Sequence, residues 1–132
     1  MAFELSITAI PDDIDELGHV NNAVWVRWIQ EIATAHWRHA ARPQDVDAYV
    51  WVVIRHEIDY LGNVGAGETV TARTWVPEGP RGARFDRWME FVGSDGKSKV
   101  RARTTWAMID KASGRIGRVP REVAAPFLEG EG

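Results

Sequence analysis

One helical stretch lies in a chain whose other segments have the patterns of strands, and this contrast limits the folds available. Between about residues 22 and 40, apolar side chains recur at α-helical spacing and polar side chains recur on the opposite face. The apolar stripe contains Trp25, Trp28, Ile29, Ile32, Ala33, His36 and Trp37, and the polar face contains Arg27, Glu31, Thr34 and Arg38. So broad an apolar face must be covered, and strands are the elements available to cover it.

Five segments carry strand signals. Apolar residues alternate near the N-terminus, and later segments are dense in β-branched and aromatic residues. Turn-forming sequences separate the later segments, with SDGK at 94–97 as a hairpin signal and ASGR at 112–115 as another turn. The predicted strands are 3–10, 49–61, 68–77, 83–93 and 98–110. The four later strands, joined by short links, predict an antiparallel meander.

The order of elements indicates the fold class. One strand, one long helix and four strands predict an α+β fold, in which a curved five-stranded antiparallel sheet wraps around one central helix. Pro43 closes the helical segment, and Pro120 predicts the start of a short C-terminal helix. With 132 residues and seven tryptophans, the chain has the length and apolar area for one core, so residues 1–132 are expected to form a single domain.

Composition excludes several classes of function. The chain has no cysteine, which excludes disulfides and thiol catalysis, and its four scattered histidines predict no metal site. No apolar run approaches the roughly 20 residues that span a bilayer. The N-terminus lacks a basic leader, so a cytoplasmic protein without membrane partners is expected. A net charge of −3 and the lack of a basic helix disfavour nucleic-acid binding.

The segment 15–25, DELGHVNNAVW, leads into the predicted helix. Asn21 is a good N-cap residue, and backbone amides near Asn22 point back toward the loop, where they can stabilise an oxyanion. Gly18 allows close approach of the backbone, and Asp15 places a carboxylate nearby. A carboxylate facing an oxyanion hole suits acyl-group hydrolysis.

Each of these residues also has a structural explanation. Asp15 can simply bind loop amides, His19 can satisfy a backbone carbonyl, and Asn21 can serve only as a cap. The combination is more specific than its parts, but residue chemistry alone leaves the reaction open.

The stretch DIDELGHVNNAVWVRWIQEIA, residues 13–33, resembles the start of the hot-dog-fold acyl-CoA thioesterases. These include the 4-hydroxybenzoyl-CoA thioesterase-like group, the long-chain acyl-CoA thioesterases and the plant acyl-ACP thioesterases. Asp15, the H-V-N-N run at 19–22 and Trp25 match the family pattern, with Trp where the family usually has Tyr. Residues 52–70 also resemble the family's long second strand and its following turn. The resemblance implies a hot-dog fold assembled as a homodimer or homotetramer.

The resemblance also implies catalytic roles. Asp15 takes the position of the family's catalytic aspartate, as nucleophile or as base toward water, and the Asn22 amide would polarise the thioester carbonyl. His19 and Glu57 correspond to further residues of the plant enzymes. However, Leu17 stands where those enzymes have an Asn. By strand period Glu57 lies on a polar face, where it can equally be a surface residue.

The family pattern gives less support to the substrate-binding residues than to the catalytic ones. Gly18 and Asn21 line the implied site, and Trp25 and Trp28 are candidates for the acyl-pocket wall, where the bulkier Trp25 would shorten or reshape the tunnel. The second half of the chain is basic, and its cations are candidates for binding CoA phosphates. Arg81 and Arg84 lead this group, which also contains Arg87, Lys97, Lys99, Arg101 and Arg103.

One carboxylate and one histidine outside the motif are interpreted structurally. Glu31 shares the polar face of the helix with Arg27, which favours a surface ion pair over a catalytic role. His56 lies on the apolar face of its strand and is interpreted as a core histidine.

The predicted function is hydrolysis of an acyl-CoA thioester, with CoA as part of the substrate and no other cofactor. The basic half suits an acidic acyl carrier protein equally well, so an acyl-ACP thioesterase stays open. A catalytically silent module that binds acyl thioesters is the alternative of a different class. A hot-dog hydratase is disfavoured, because its Asp/His dyad and glycine-rich helix start are missing.

Overall fold

The computed structural model describes residues 2–129. The strands are β1 Phe3–Thr8, β2 Tyr49–Tyr60, β3 Thr69–Trp75, β4 Arg84–Gly93, β5 Ser98–Asp110 and β6 Arg115–Ile116. The helices are α1 Asn22–Ala40, α2 Pro43–Ala48 and α3 Arg121–Glu129, with a 3₁₀ turn at Pro11–Asp13. The sheet curls around α1, which confirms the expected α+β architecture.

Helix α1 forms where the sequence predicts it. Its stripe is buried from Trp25 to His36, whereas Arg27, Glu31 and Arg38 lie on the exposed face. The expected pair of Arg27 and Glu31 is present, with Nε and Oε1 3.4 Å apart. Both side chains are more than half exposed, so this pair stabilises the helix only slightly.

The strand order differs from the predicted meander. The sheet runs β1-β3-β4-β5-β2, with every neighbouring pair antiparallel and β6 added to β5. Strands β3, β4 and β5 follow one another as predicted. Strand β2 does not pair with β3; it crosses to the far edge and pairs with β5, with Tyr60 opposite Val100. One edge of β2 is therefore left without a neighbouring strand in the described chain.

A bulge at Ile54 divides β2 into two halves. Val53 pairs with Trp106 and Arg55 pairs with Thr105, so Ile54 is an extra residue without a partner. After the bulge, His56 lies on the inner face and Glu57 on the outer face, as predicted. Ile54, which occupies the bulge, is 46% exposed.

The core has two parts, which lie beneath the two ends of α1. The front core, beneath the N-terminal half of α1, contains Ala9, Val20, Trp25, Trp28, Ile29, Ile32, Val64, Val70, Ala72, Met89, Phe91, Val100 and Ala102. The rear core lies beneath the C-terminal end of α1, and it contains Ala41, Val76, Phe85, Met108, Val119, Val123, Ala124 and Phe127. The two parts share the same helix and sheet.

Two short elements were not predicted from the sequence. Helix α2 begins at Pro43, a residue interpreted above only as a helix stop, although Pro is favoured at the first position of a helix. Strand β6 follows the expected turn at 112–115 and pairs with the end of β5. The C-terminal helix after Pro120 is confirmed as α3. Within residues 2–129, the helices are too short or too polar to cross a membrane.

Candidate active site

The loop that precedes α1 folds back on itself as a narrow two-stranded turn. Ile14 and Val20 form an antiparallel bridge. The Asp15 amide donates to the His19 carbonyl at 2.8 Å, and the Asn21 amide donates to the Asp13 carbonyl at 2.9 Å. This pairing holds Asp15 beside His19, close to the N-terminal end of α1.

Asp13 anchors this loop to the helix. Its carboxylate is 4% exposed, accepts from the Ile10 amide at 3.0 Å, and pairs with Arg27 Nη2 at 2.8 Å. Burial tends to raise the pKa of Asp13, but the hydrogen bond from Ile10 and the ion pair with Arg27 hold it below its ordinary value. Sequence reasoning paired Arg27 only with Glu31 and missed this contact, because Asp13 lies fourteen positions upstream.

Asn63 ties the loop to the turn after β2. Its Oδ1 accepts from the Val20 amide at 3.1 Å and from the Val64 amide at 2.9 Å, and its Nδ2 donates to the Val20 carbonyl at 3.3 Å. The Val20 amide also donates to the Val64 carbonyl at 3.1 Å. Sequence analysis did not single out Asn63, because its partner Val20 lies 43 positions away in the chain.

The carboxylate of Asp15 is fixed by one of its two oxygens. Oδ1 accepts from the Leu17 amide at 2.9 Å and from the His19 amide at 3.3 Å. Within residues 2–129, Oδ2 makes no hydrogen bond or ion pair. The loop-binding role considered from the sequence is therefore present, and it orients the carboxylate while leaving one oxygen available.

The N-terminus of α1 has one amide without an acceptor. Asn21 is the N-cap, as predicted, and its Oδ1 accepts from the Ala23 amide at 2.9 Å. The amides of Val24 and Trp25 donate to the Asn21 carbonyl. The Asn22 amide has no acceptor in the described part of the chain. This amide is a donor positioned where the helix dipole also favours negative charge.

Gly18 and His19 complete the loop. Gly18 has φ +78°, a conformation that side chains other than glycine rarely adopt. A Cβ there would meet nothing within 4 Å, so the turn conformation, and not close approach of another group, requires glycine within this chain. The His19 side chain is exposed on the same turn.

Glu57 lies away from this loop. It pairs with Arg55 Nη2 at 2.8 Å and with Arg103 on the outer face of the sheet. Tyr60, whose hydroxyl lies 3.5 Å from the Asn22 carbonyl, is on the other face of β2. Within one chain, the structure does not bring Glu57 to the Asp15 loop and instead gives it the surface role considered above.

Trp25 and Trp28 are core residues in this structure. They are 0% and 2% exposed and pack edge to face, with ring centroids 5.0 Å apart. Trp25 also packs against Phe91 at 5.4 Å. The indole N–H of Trp25 is buried without an acceptor among the described residues. Both rings lie in the front core, and their proposed contact with an acyl chain stays a prediction.

Arg81 and Arg84 lie at the opposite end of the molecule from Asp15. Their backbones form a small bridge, and Arg81 pairs with Asp86 at 3.2 Å. β4 begins opposite Ala107, which pairs on its other side with Val52 near the start of β2. This end of the sheet carries the rear core, so one chain does not bring these two cations to the loop.

Other basic candidates divide between surfaces and the core. Lys99 lies near the loop, since its carbonyl accepts from the amides of Leu61 and Gly62 at 2.9 and 3.0 Å, and its Nζ pairs with Asp95. Arg101 pairs with Glu90 on the outer face. The remaining candidates are Arg87, which is buried, Arg103, which pairs with Glu57, and Lys97, which is exposed in the β4–β5 turn.

Comparison with known proteins gives matches of two kinds. Residues 10–127 match the family model of the thioesterase-like superfamily. A stretch of 75 residues is 32% identical to the chloroplastic palmitoyl-acyl carrier protein thioesterase of Arabidopsis thaliana. This match covers 56% of the chain and 18% of that relative, so the chain spans only a small part of the length of such relatives.

Two solved structures show the same fold. A predicted thioesterase from Bacillus stearothermophilus superposes with a TM-score of 0.85 at 21% identity, over 98% of this chain and 96% of that one. A thioesterase from Thermus thermophilus complexed with coenzyme A and Zn superposes with a TM-score of 0.81 at 22% identity, over 96% of this chain and 93% of that one. At these identities the likeness concerns the fold.

Proposed function

Because the chain belongs to the thioesterase-like superfamily, we propose that it hydrolyses an acyl-CoA thioester to the free acid and CoA. The family match extends over nearly the whole described chain and includes the Asp15 loop and α1. The similar fold of a thioesterase complexed with coenzyme A supports CoA as the thiol carrier. Coenzyme A enters this proposal as part of the substrate.

The observation that carries the proposal is the pairing of two available groups at one end of α1. Within the described residues, one carboxylate oxygen of Asp15 and the amide of Asn22 have no hydrogen-bond partner. In the proposed reaction the thioester oxygen accepts from the Asn22 amide, and the carboxylate of Asp15 activates water or attacks the carbonyl carbon itself. The thiolate of CoA leaves, and water supplies the hydroxyl of the product acid.

Both groups contribute on a scale that kinetics can detect. A positioned general base accelerates a reaction by about 10²–10⁴-fold. One oxyanion donor contributes about 10²–10³-fold. His19, Gly18 and Asn21 act in this proposal by shaping the loop around Asp15. Arg81 and Arg84 would reach the CoA of a site in their own chain only across the length of the sheet, so their assignment depends on assembly.

The first experiment measures thiol release from short, long and aromatic acyl-CoAs. Asp15→Asn should lower kcat/KM by about a hundredfold or more, because the amide keeps the loop hydrogen bonds but cannot act as base or nucleophile. Asp12→Asn is the matched control, since Asp12 is an exposed carboxylate three positions earlier in the chain. Glu57→Gln tests the second carboxylate in the same assay.

The outcomes separate the candidates. Turnover that is lost in Asp15→Asn and kept in Asp12→Asn supports the proposal. Equal activity in both variants would remove Asp15 from the mechanism, and a loss confined to Glu57→Gln would move the catalytic carboxylate to β2. Binding of acyl-CoA by the wild type without any turnover would favour a silent acyl-thioester module.

An acyl carrier protein is the second candidate donor. The 32% identity to a chloroplastic palmitoyl-acyl carrier protein thioesterase favours it, although the match covers only part of that protein. The same assay with acyl-carrier-protein thioesters distinguishes the two donors. A higher kcat/KM for the carrier-protein thioester of the same acyl group would identify the carrier protein, and not CoA, as the donor.

We also propose that the protein is a cytoplasmic homodimer or homotetramer. The free edge of β2 carries Val50 and Val52, which are 44% and 39% exposed, and the bulged Ile54. An apolar edge strand without a partner is a pairing surface for a second chain. The mass of the protein in solution tests the assembly.

A further inference from the structure

A cavity of about 210 Å³ lies at the rear end of the fold. Its walls come from the C-terminal half of α1, from α2, from β2, β4 and β5, and from α3. We call it the rear cavity. Ala33 is eleven residues from Asn22 along α1, and at about 1.5 Å per residue it lies about 17 Å from the helix N-terminus. Within one chain, the rear cavity is therefore separate from the Asp15–Asn22 site.

Aromatic side chains form most of the apolar wall. Trp37 stacks on Phe127 with ring centroids 5.6 Å apart, and it meets Trp51 edge to face at 5.5 Å. The other aromatic residues of the wall are Tyr49, Phe85 and Trp106. Ring faces and edges of this kind favour flat apolar molecules that can stack or pack edge to face.

Two lining residues carry buried donors without acceptors. The indole N–H groups of Trp51 and Trp106 are buried, and neither has a hydrogen-bond partner among the described residues. Buried indole N–H groups usually find a partner. Neither nitrogen has accessible surface, so a molecule in the cavity would meet the faces and edges of these rings and not their N–H groups.

The charges around the cavity are mainly positive. Arg38 and Lys111 lie in its exposed wall, and Arg87 lies in its buried wall at 8% exposure. Arg87 Nη1 donates to His36 Nδ1 at 2.7 Å and to Thr74 Oγ1 at 3.0 Å.

Asp86 is the acidic residue of the wall. It already accepts from Thr105 Oγ1 at 2.8 Å and pairs with Arg81 at 3.2 Å. The balance of charge therefore favours an anionic ligand.

The volume limits the size of the ligand. An apolar cavity of about 150 Å³ in another protein holds benzene, so 210 Å³ is enough for a substituted ring. Sites for drug-sized ligands occupy about 300–1,000 Å³. A long acyl chain or a whole CoA molecule is too large.

We propose that the rear cavity binds a small aromatic carboxylate. The ring packs among Trp37, Trp51 and Phe127, and the carboxylate faces Arg38, Arg87 and Lys111. This site is additional to the proposed thioester site, and its occupancy does not depend on turnover.

Isothermal titration of the full chain with benzoate tests the proposal, with benzamide as the neutral ligand of the same shape. Saturable binding with one benzoate per chain is expected, and benzamide should bind at least fivefold more weakly. Arg38→Glu should weaken benzoate about fivefold or more, whereas Arg118→Glu, the same change at an exposed position outside the cavity, should not. Benzamide affinity should be the same in both variants.

A second pair of variants tests the place of binding. Ala33→Leu fills the cavity and should abolish benzoate binding, while Ala35→Leu, two positions along the same helix and outside the lining, should leave it intact. Circular dichroism confirms that both variants are folded. Asp15→Asn should bind benzoate with unchanged affinity.

Three results would overturn the proposal. Equal binding of benzoate and benzamide would remove the carboxylate preference. Equal effects of Arg38→Glu and Arg118→Glu, or of the two Ala→Leu variants, would move the ligand out of the rear cavity. Weakened binding in Asp15→Asn would mean that the ligand occupies the thioester site.

Discussion

The two ends of α1 offer different kinds of site. At the N-terminal end, the groups on offer are a carboxylate oxygen and a backbone amide, held by residues 13–22 and their contacts. At the C-terminal end, the available groups are aromatic rings and cations that come from five elements of the chain or the residues next to them. One end is therefore suited to stabilise a charge that develops during a reaction, and the other is suited to hold a molecule in place.

This difference explains which end the sequence reveals. The front site is built from neighbours in the chain, so its residues form a motif that can be recognised in a short stretch. The rear cavity has no such stretch, since Trp37, Trp51 and Trp106 are neighbours only after β2 has paired with β5. Sequence analysis assigned tryptophans to the core but did not detect the cavity.

The largest expected effect is a loss of folding stability, and it compares side-chain packing at the two ends of α1. Trp28→Ala removes a ring that is 2% exposed in the front core and should lower the free energy of unfolding by about 3–5 kcal/mol. Trp37 borders space that is already open. Trp37→Ala should therefore lower the free energy of unfolding by roughly half as much, because less new cavity is created. Urea unfolding of both variants measures the difference.

Equal losses in the two variants would contradict this comparison. They would mean that the rear cavity is closed in solution and that Trp37 packs as tightly as Trp28. A larger loss in Trp37→Ala would point the same way.

The dependence of folding stability on pH tests the burial of His36 at the rear end of the fold. Burial, with Arg87 and His39 nearby, lowers the pKa of His36 to about 3. The unfolded chain takes up this proton near its ordinary pKa of 6.5, whereas the folded chain does not, so stability should fall as pH decreases from 6.5 toward 3. The expected slope is up to about 1.4 kcal/mol per pH unit. Thermal or urea unfolding between pH 7 and 4.5 measures it.

His36→Gln should flatten this slope, because glutamine offers Arg87 an acceptor and does not titrate. His39→Gln is the matched control, an exposed histidine on the same helix, and should keep the slope. An unchanged slope in His36→Gln would show that other groups cause the acid sensitivity.

The smallest expected effect concerns the front end. Asn21→Ala removes the side-chain acceptor of the Ala23 amide and should lower the free energy of unfolding by about 1 kcal/mol. Gln30→Ala, an exposed position in the middle of α1, serves as the control, with little change or a small gain expected. Chemical denaturation resolves the two variants, and equal stabilities would mean that the cap contributes nothing measurable.

The elements that the sequence predicted are those set by local patterns. Helix α1 follows from its apolar stripe, and β3, β4 and β5 follow from alternation and short turns. Strand β2 was placed beside β3 because it precedes it in the chain, but its pairing with β5 is long-range and has no local signal. Helix α2 was missed although Pro43 carries the same signal that located α3 after Pro120.

For the site, the motif residues could be named but their contacts could not. Asn21 is the cap that was predicted, whereas the catalytic roles of Asp15 and Asn22 stay predictions. The anchors Asp13 and Asn63 act through partners distant in sequence, and no pattern marks them. Glu57 was correctly placed on an outer face, but its ion pairs became visible only with β5 beside it.

The extra residue at Ile54 has a consequence for how such a chain can evolve. It resets the alternation of β2, so Trp51 before it and His56 after it both face inward. Losing that single residue in a descendant sequence would turn one half of the strand over, placing Val50 and Val52 on the inner face in exchange for Tyr49 and Trp51. An insertion or deletion of two residues in this strand therefore keeps its inward-facing side chains inward. A change of one residue reverses the faces of one half of the strand and leaves the other half unchanged.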